Sequence, residues 1–430
     1  MKEYFFILLL ILLPSIIFSA QGPTYKIWNT SNSPIPTNSL RSIFIDKDGI
    51  IWIGSGDKGL IKFDGINFTN FNTLNSPMKA DWAPYITSDK FNNLWIATFK
   101  TGAGNQGALM KFDRVNTWSY FNNQNSGISN GNQWCVAVDT NNIIWSFGFK
   151  LSKYDGTIWT VYDSTNSPLK FSGGREIYVD KFNNKWIGLD FYGLYKLEND
   201  AIWTYYSPQN SGIGGTEVNK IREDNFGNLW ITMSYYGITK FDPINNLWQN
   251  WTPQNSGLHW GHPWGLQFDK KNIKWIGFNF GDTLCSFNDT NFIYHNPLGG
   301  FNNYDIKLDI LGNLWMATSA GLIEYNKNGI VVDVNNQISP IPESFKIENI
   351  FPNPFNPKAN IKFTISKHSN LKVKLYNIKG EELETLLNKD YQAGEYEANW
   401  NAQSYSSGIY FVTFYVNNIL FTSKKLLLIK

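Results

Sequence analysis

The sequence predicts an all-β chain, a seven-bladed β-propeller followed by a small C-terminal β-sandwich, and three observations carry that expectation. An Asp is followed six residues later by a Trp seven times, at Asp46/Trp52, Asp89/Trp95, Asp139/Trp145, Asp180/Trp186, Asp224/Trp230, Asp269/Trp275 and Asp309/Trp315. These tryptophans recur every 40 to 50 positions, the period of solenoids and propellers. Aromatic residues reach 17% and Gly numbers 35, while charged residues stop at 17%. Many aromatics, few charges and frequent turn residues suit short strands joined by tight turns.

Each repeat reads as four strands. In the fifth, residues 217–223 lead to Asp224, a turn through Gly227-Asn228 follows, and 229–232, 237–242 and 247–251 complete the unit. The third strand alternates apolar and polar residues, as in Leu60-Ile61-Lys62-Phe63, which one buried face requires. The fourth carries an aromatic 21 residues before the next Asp, at Phe68, Trp118, Trp159, Trp203 and Trp248. One such sheet cannot bury both of its faces, whereas sheets stacked around an axis can. The repeated Trp side chains are therefore expected in the core, and the repeated Asp is expected to bond to its own turn backbone. Asp46-Lys47-Asp48-Gly49 also invites a calcium reading, but the other repeats lack its second carboxylate. No metal and no cofactor are expected. Residues 25–30 resemble a fourth strand without the preceding three and are expected to complete the seventh blade; residues 330–334 compete for that place.

The ends of the chain read differently. Residues 1–20 place Lys2 before an apolar run and close on Ser19-Ala20, a signal peptide for export. A membrane anchor is the competing reading, disfavoured because the run is short for a bilayer span. The mature chain is expected to have no transmembrane segment. The propeller is assigned to residues 21–334, a polar linker to 335–347 and the sandwich to 348–430. In that tail Trp becomes rare and strands are expected at 361–365, 371–376, 396–400, 409–416 and 419–421. A net charge of +2 is too weak to argue for nucleic acid or an anionic membrane as partner. Cys135 and Cys285 fall in different repeats and read as buried thiols before a disulfide.

Phe351-Pro352-Asn353-Pro354-Phe355-Asn356-Pro357, Val373-Lys374-Leu375-Tyr376-Asn377, Ser407-Gly408-Ile409-Tyr410 and the closing run 424–430 resemble the type A C-terminal sorting domain of the bacterial type IX secretion system. That resemblance implies a Gram-negative, Bacteroidota-type source, contact of 348–430 with the secretion machinery, and a final place in the medium or on the cell surface at the outer membrane. The repeats resemble the two-component regulator propeller family, whose Asp-x-x-Gly-x-x-Trp-Ile-Gly pattern residues 46–54 follow fully; Asn184 and Asn272 depart at or near the Gly. In that family the propeller usually precedes a membrane span and a kinase and senses an extracellular ligand, often a glycan. This chain shows neither span nor kinase, so the resemblance implies the fold and a ligand-binding expectation alone. The repeats also look somewhat like streptogramin B lyase, a seven-bladed enzyme using His and Glu.

Chemistry is sparse. His259 and His262 lie together on the connector into the sixth blade, with no carboxylate or Cys close by in sequence to complete a metal or acid–base set. They read as structural or ligand-contacting, and no catalytic residue is assigned. If each innermost strand runs towards its Asp, the residue five positions earlier stands at the channel entrance: Arg41, Pro84, Trp134, Arg175, Asn219, Trp264 and Tyr304. These vary where the scaffold repeats, as a site grafted on a fold does. Loops between second and third strands open on the same side and add Phe99, Phe149, Tyr192, Tyr236 and Phe280. Aromatic faces beside Arg and Asn donors suit stacking on sugar rings with hydrogen bonds to hydroxyls. A ligand-binding module is therefore expected, a glycan favoured, with a channel-face lyase or hydrolase and a protein-interaction or adhesion platform as alternatives.

Overall fold

The computed structural model describes residues 24–430 apart from 101–106, 130, 171–172, 281–283, 296–299, 331–344, 366–367, 378–380 and 417–418. The expected signal peptide, most of the linker and residues 331–334 of the competing closing strand lie outside the described residues.

Seven four-stranded antiparallel sheets follow one another along the chain. Their first strands contact each other in sequence and the ring closes where Leu40–Ile45 of blade one meets Asn303–Leu308 of blade seven. Blade seven takes its fourth strand from the N-terminal end, Tyr25–Trp28 pairing antiparallel with Gly321–Tyr325. Trp28 stacks on Trp315 at 5.4 Å and meets Phe63 of blade one edge-on at 5.0 Å. The closing strand is thus fastened to both ends of the ring, as the orphan segment predicts.

The repeat motif acts through both oxygens of its Asp. Asp224 Oδ1 accepts the N–H groups of Phe226 and Asn228, both at 2.9 Å, and the other repeats do the same. Oδ2 accepts the indole N–H of the Trp six residues on, at 2.8 Å for Trp186 and 3.3 Å for Trp275. The turn needs a left-handed residue three places after the Asp. Gly49, Gly227 and Gly312 supply it in three blades and Asn92, Asn142, Asn183 and Asn272 in four, φ running from 62° to 90°. Asn tolerates that region better than other non-glycine residues, which explains the departures from the Gly pattern.

All seven motif tryptophans are buried between their own blade and the next; Trp230, for example, packs with Leu266, Ile276 and Phe287 of blade six. The residue three before each Asp is Ile, Val or Leu, and every one is buried. Cross-strand aromatic pairs hold the outer strands, Phe241 on Trp248 at 3.8 Å and Phe112 on Trp118 at 3.9 Å. Cys135 and Cys285 are buried thiols in blades three and six. Asp46 and Asp48 receive Arg114 at 2.7 and 3.2 Å, so a cation does reach these carboxylates, and it is a side chain.

The tail folds as two sheets, one ordering Phe345–Phe351, Lys358–Ile365 and Gly394–Asn401, the other Glu382–Tyr391, Ser369–Asn377, Gly408–Val416 and Ile419–Leu428. They close over Ile361, Phe363, Val373, Trp400, Val412 and Phe414. Glu382–Tyr391 and Phe345–Phe351 were not expected as strands. The first lies at a sheet edge with mostly exposed side chains, so no buried face imposes alternation on its sequence. The Pro-Asn-Pro-Phe motif is tied to the closing strand: Phe355 N–H reaches Leu427 O at 2.9 Å, and Asn353 bonds Lys425 O and Leu427 N–H.

Candidate functional site

Each first strand starts at one end of the channel and descends to its Asp turn at the other. The four-strand meander puts the connectors between blades and the loops between second and third strands at the starting end, here called the mouth. The position five before the Asp is a backbone irregularity. Register shifts skip Arg41, Arg175, Asn219, Trp264 and Tyr304, and in blade two the shift spans Trp82 to Tyr85 and includes Pro84. A bulged residue is left out of the ladder and its side chain is re-aimed. That is why the position varies while its neighbours repeat.

Most of these side chains meet one another. The Arg41 guanidinium lies 4.1 Å from the Tyr304 ring, and Arg175 lies 4.8 Å from that of Trp264. Trp264 and Tyr304 meet edge to face at 6.4 Å. Arg175 is held by Asp190 at 2.6 Å and by Asn219 Oδ1 at 2.8 Å. Trp134 joins a second group, packed on Phe99 at 4.3 Å and Trp82 at 5.3 Å.

Asn219 does not have the role expected of it. It is 2% exposed, and its amide donates to Ser234 Oγ and Pro263 O while its oxygen accepts from Arg175 and Ser234. A buried amide with its donors used internally cannot serve a ligand hydroxyl; it positions Arg175 instead. His262 stands against Tyr235 at 3.9 Å and Phe280 at 5.4 Å. Burial, and then nearby Arg175, hold its imidazole below the ordinary range, so it is neutral at pH 7. Tyr192 lies beneath Lys170 at 5.5 Å, and the Tyr236 ring covers Gly215, where a Cβ would come within 2.3 Å of it. Phe149, Tyr192, Tyr235, Tyr236, Trp260 and Phe280 form an exposed aromatic rim.

Sequence reasoning missed the lining beneath the mouth. Residues four and two before the Asp alternate with the buried aliphatic position and so face the axis. Glu176 accepts from Tyr85 at 3.0 Å, Lys220 at 3.2 Å and Arg222 at 2.5 Å. Lys307 reaches both oxygens of Asp305, at 3.0 and 3.2 Å, and Ile43 N–H adds a third bond. Side chains from blades two, four and five thus bridge the ring, and the tunnel is plugged by charge at this level. The signal was present in Lys220-Ile221-Arg222 and Asp305-Ile306-Lys307, charges flanking a core aliphatic in an inner strand. Burial works against the Asp305 charge, but Lys307, Lys220 and Arg222 outweigh it and hold the carboxyl below its usual range. Asp305 is therefore not poised to carry a proton at neutral pH. Among the described residues no group of three or more His, Cys, Asp or Glu could hold a metal ion.

Ring closure, blade count and tail define the class: an all-β, seven-bladed propeller with a C-terminal β-sandwich. Residues 34–57 match the two component regulator propeller family, and residues 349–430 match the secretion system C-terminal sorting domain. The chain therefore carries a repeat of the first family and a sorting tail of the second, which implies contact with the secretion machinery and secreted or cell-surface export. A search of curated proteins by sequence found no match. Among solved structures, a streptogramin B lyase is similar at 15% identity and TM-score 0.57, over 70% of this chain and 97% of that one. Virginiamycin B lyase from Staphylococcus aureus is similar at 13% identity and TM-score 0.56, over 70% and 98%. YCF48 bound to D1 peptide is similar at 14% identity and TM-score 0.53, over 72% and 98%. At such identities these likenesses establish the fold and nothing finer. No helix among the described residues is long and apolar enough to cross a membrane.

Proposed function

We propose that the chain is an extracellular binding module that takes a glycan at the propeller mouth after export by the type IX secretion system. The supporting observation is the bulge at the start of the inner strands, which gathers Arg41, Tyr304, Trp264 and Arg175 into one stacked group beneath an exposed aromatic rim. The Arg175 guanidinium, held in place by Asp190 and Asn219, is preorganised, and the rim offers faces for sugar rings. Two of the exposed rim residues, Phe149 and Phe280, have no polar handle. They favour a second reading, a protein or peptide partner at the same mouth. A glycan array probed with the purified propeller separates the two. Under the glycan reading, Trp264→Ala lowers retention about tenfold or more with the melting profile intact, since a buried aromatic anchor typically contributes 2 kcal/mol or more. Unchanged retention in Trp264→Ala, or no glycan retained by the wild-type ring, discards the glycan.

A further inference from the structure

The charged lining has an open end of its own. It sets three cations, Lys220, Arg222 and Lys307, against two carboxylates, Glu176 and Asp305, one positive charge in excess. The inner members are enclosed, with Glu176 0% and Lys220 6% exposed in their side chains, whereas Arg222 and Lys307 are 15% and 24% exposed. Both open residues stand two positions before a repeat Asp. They therefore lie at the turn end of the channel, about 10 Å along the strand from the mouth position at about 3.3 Å per residue.

Their donors are only partly used. Arg222 bonds the protein through Nη1 alone, to Glu176 Oε1 at 2.5 Å and Ile221 O at 2.7 Å; its Nε and Nη2 make no hydrogen bond among the described residues. Lys307 Nζ directs two bonds to Asp305, which leaves one of its three ammonium donors. At the same level, two positions before their own Asp, Tyr178, Thr87 and Gln267 stand on blades four, two and six, and Phe44 and Ala137 on blades one and three.

We propose that the turn end of the channel is a binding site for a small oxyanion, held by the Nε/Nη2 edge of Arg222 and the ammonium of Lys307. An uncompensated cation in a ring of protein is costly, and a bound anion removes that cost. A planar guanidinium edge beside a point charge suits a sulfate, phosphate or carboxylate oxygen pair. Lys307 registers the excess: burial, with Arg222 and Lys220 adding to it against Asp305, brings its ammonium down to about 8. The titratable groups around the pair are Asp305 and Lys307 of blade seven, Lys220 and Arg222 of blade five, Glu176 and Tyr178 of blade four and Tyr85 of blade two. Lys307 changes charge just above neutrality.

The oxyanion can be a free inorganic ion or an acidic group on a larger ligand. Calorimetry on the full chain, with sodium sulfate at constant ionic strength, tests the site. One sulfate per chain is expected at pH 7, binding about tenfold weaker in Arg222→Gln or Lys307→Gln and unaffected by Trp264→Ala at the opposite end. Sulfate keeps its charge across this range, so wild-type affinity should fall as pH passes 8 and Lys307 loses its proton. A sulfated oligosaccharide binding more tightly than sulfate, and losing that advantage in Arg222→Gln, identifies a larger ligand; equal affinity identifies a free ion. The site is overturned if wild type binds no stoichiometric sulfate, if affinity is unchanged from pH 7 to pH 10, or if both Gln variants bind like wild type. None of these outcomes depends on whether the mouth takes a glycan.

Discussion

Each motif Asp satisfies at least three donors with one carboxylate: two turn N–H groups through Oδ1 and the indole N–H through Oδ2. Both features of the motif are visible in sequence, but their direct bond is not, because a six-residue spacing across a turn does not reveal which side chains face each other. The consequence is testable at a single residue. Asp224→Ala leaves Trp230 Nε1 buried without its partner and strips the turn of two acceptor contacts, a loss of about 2 kcal/mol or more. Asp224→Asn keeps an acceptor and should lose clearly less. Denaturant melts of both variants check this, and an Ala variant as stable as wild type would refute the shared role. The same scale explains Asn219: the re-aiming by the bulge turns its amide towards Ser234 and Pro263.

Blades are read well from sequence because their strands alternate, and badly where alternation is absent. The inner strand of blade five, Val218–Glu223, agrees with the expected 217–223 to one residue. Glu382–Tyr391 was missed for the opposite reason, an edge strand with no face to bury. Buried Lys185 and Lys274 break the pattern further. Each occupies the position before a motif Trp, where other blades place Ile or Leu, and each is paired with an acid, Asp200 at 2.7 Å and Asp289 at 2.6 Å. The element with the largest leverage is the closing strand. Removing residues 24–30 takes Trp28 from between Trp315 and Phe63 and exposes the edge of Gly321–Tyr325. Trp28 is half-buried, so its loss alone costs less than the roughly 3–5 kcal/mol of a core aromatic, and the lost strand pairing adds to it. A sharply lowered melting temperature is expected; an unchanged one would mean that the ring does not depend on this closure.

At the scale of the molecule, the tail carries the export claim. Its Pro-Asn-Pro-Phe motif and its last strand are about 75 residues apart in sequence yet bonded to each other, so truncation removes a folded unit, not a loose signal. Deleting residues 349–430 should leave the propeller folded and trapped in the periplasm. Cell fractionation with immunoblotting reads the result, and normal surface or medium levels of the truncated chain would refute the assignment.

The seven-fold repeat and most propeller strands were legible in sequence alone, because period and alternation are local records of which face is buried, and the tail was legible from its motifs; residues 25–30 and 330–334 both fitted the closing place, and pairing with Gly321–Tyr325 decided for Tyr25–Trp28. What the channel contains was decided only by the closed ring. Tyr85, Glu176, Arg222 and Asp305 come from four blades and are up to 220 positions apart. Their charges interact because closure brings strand faces together across an axis that no single repeat encodes.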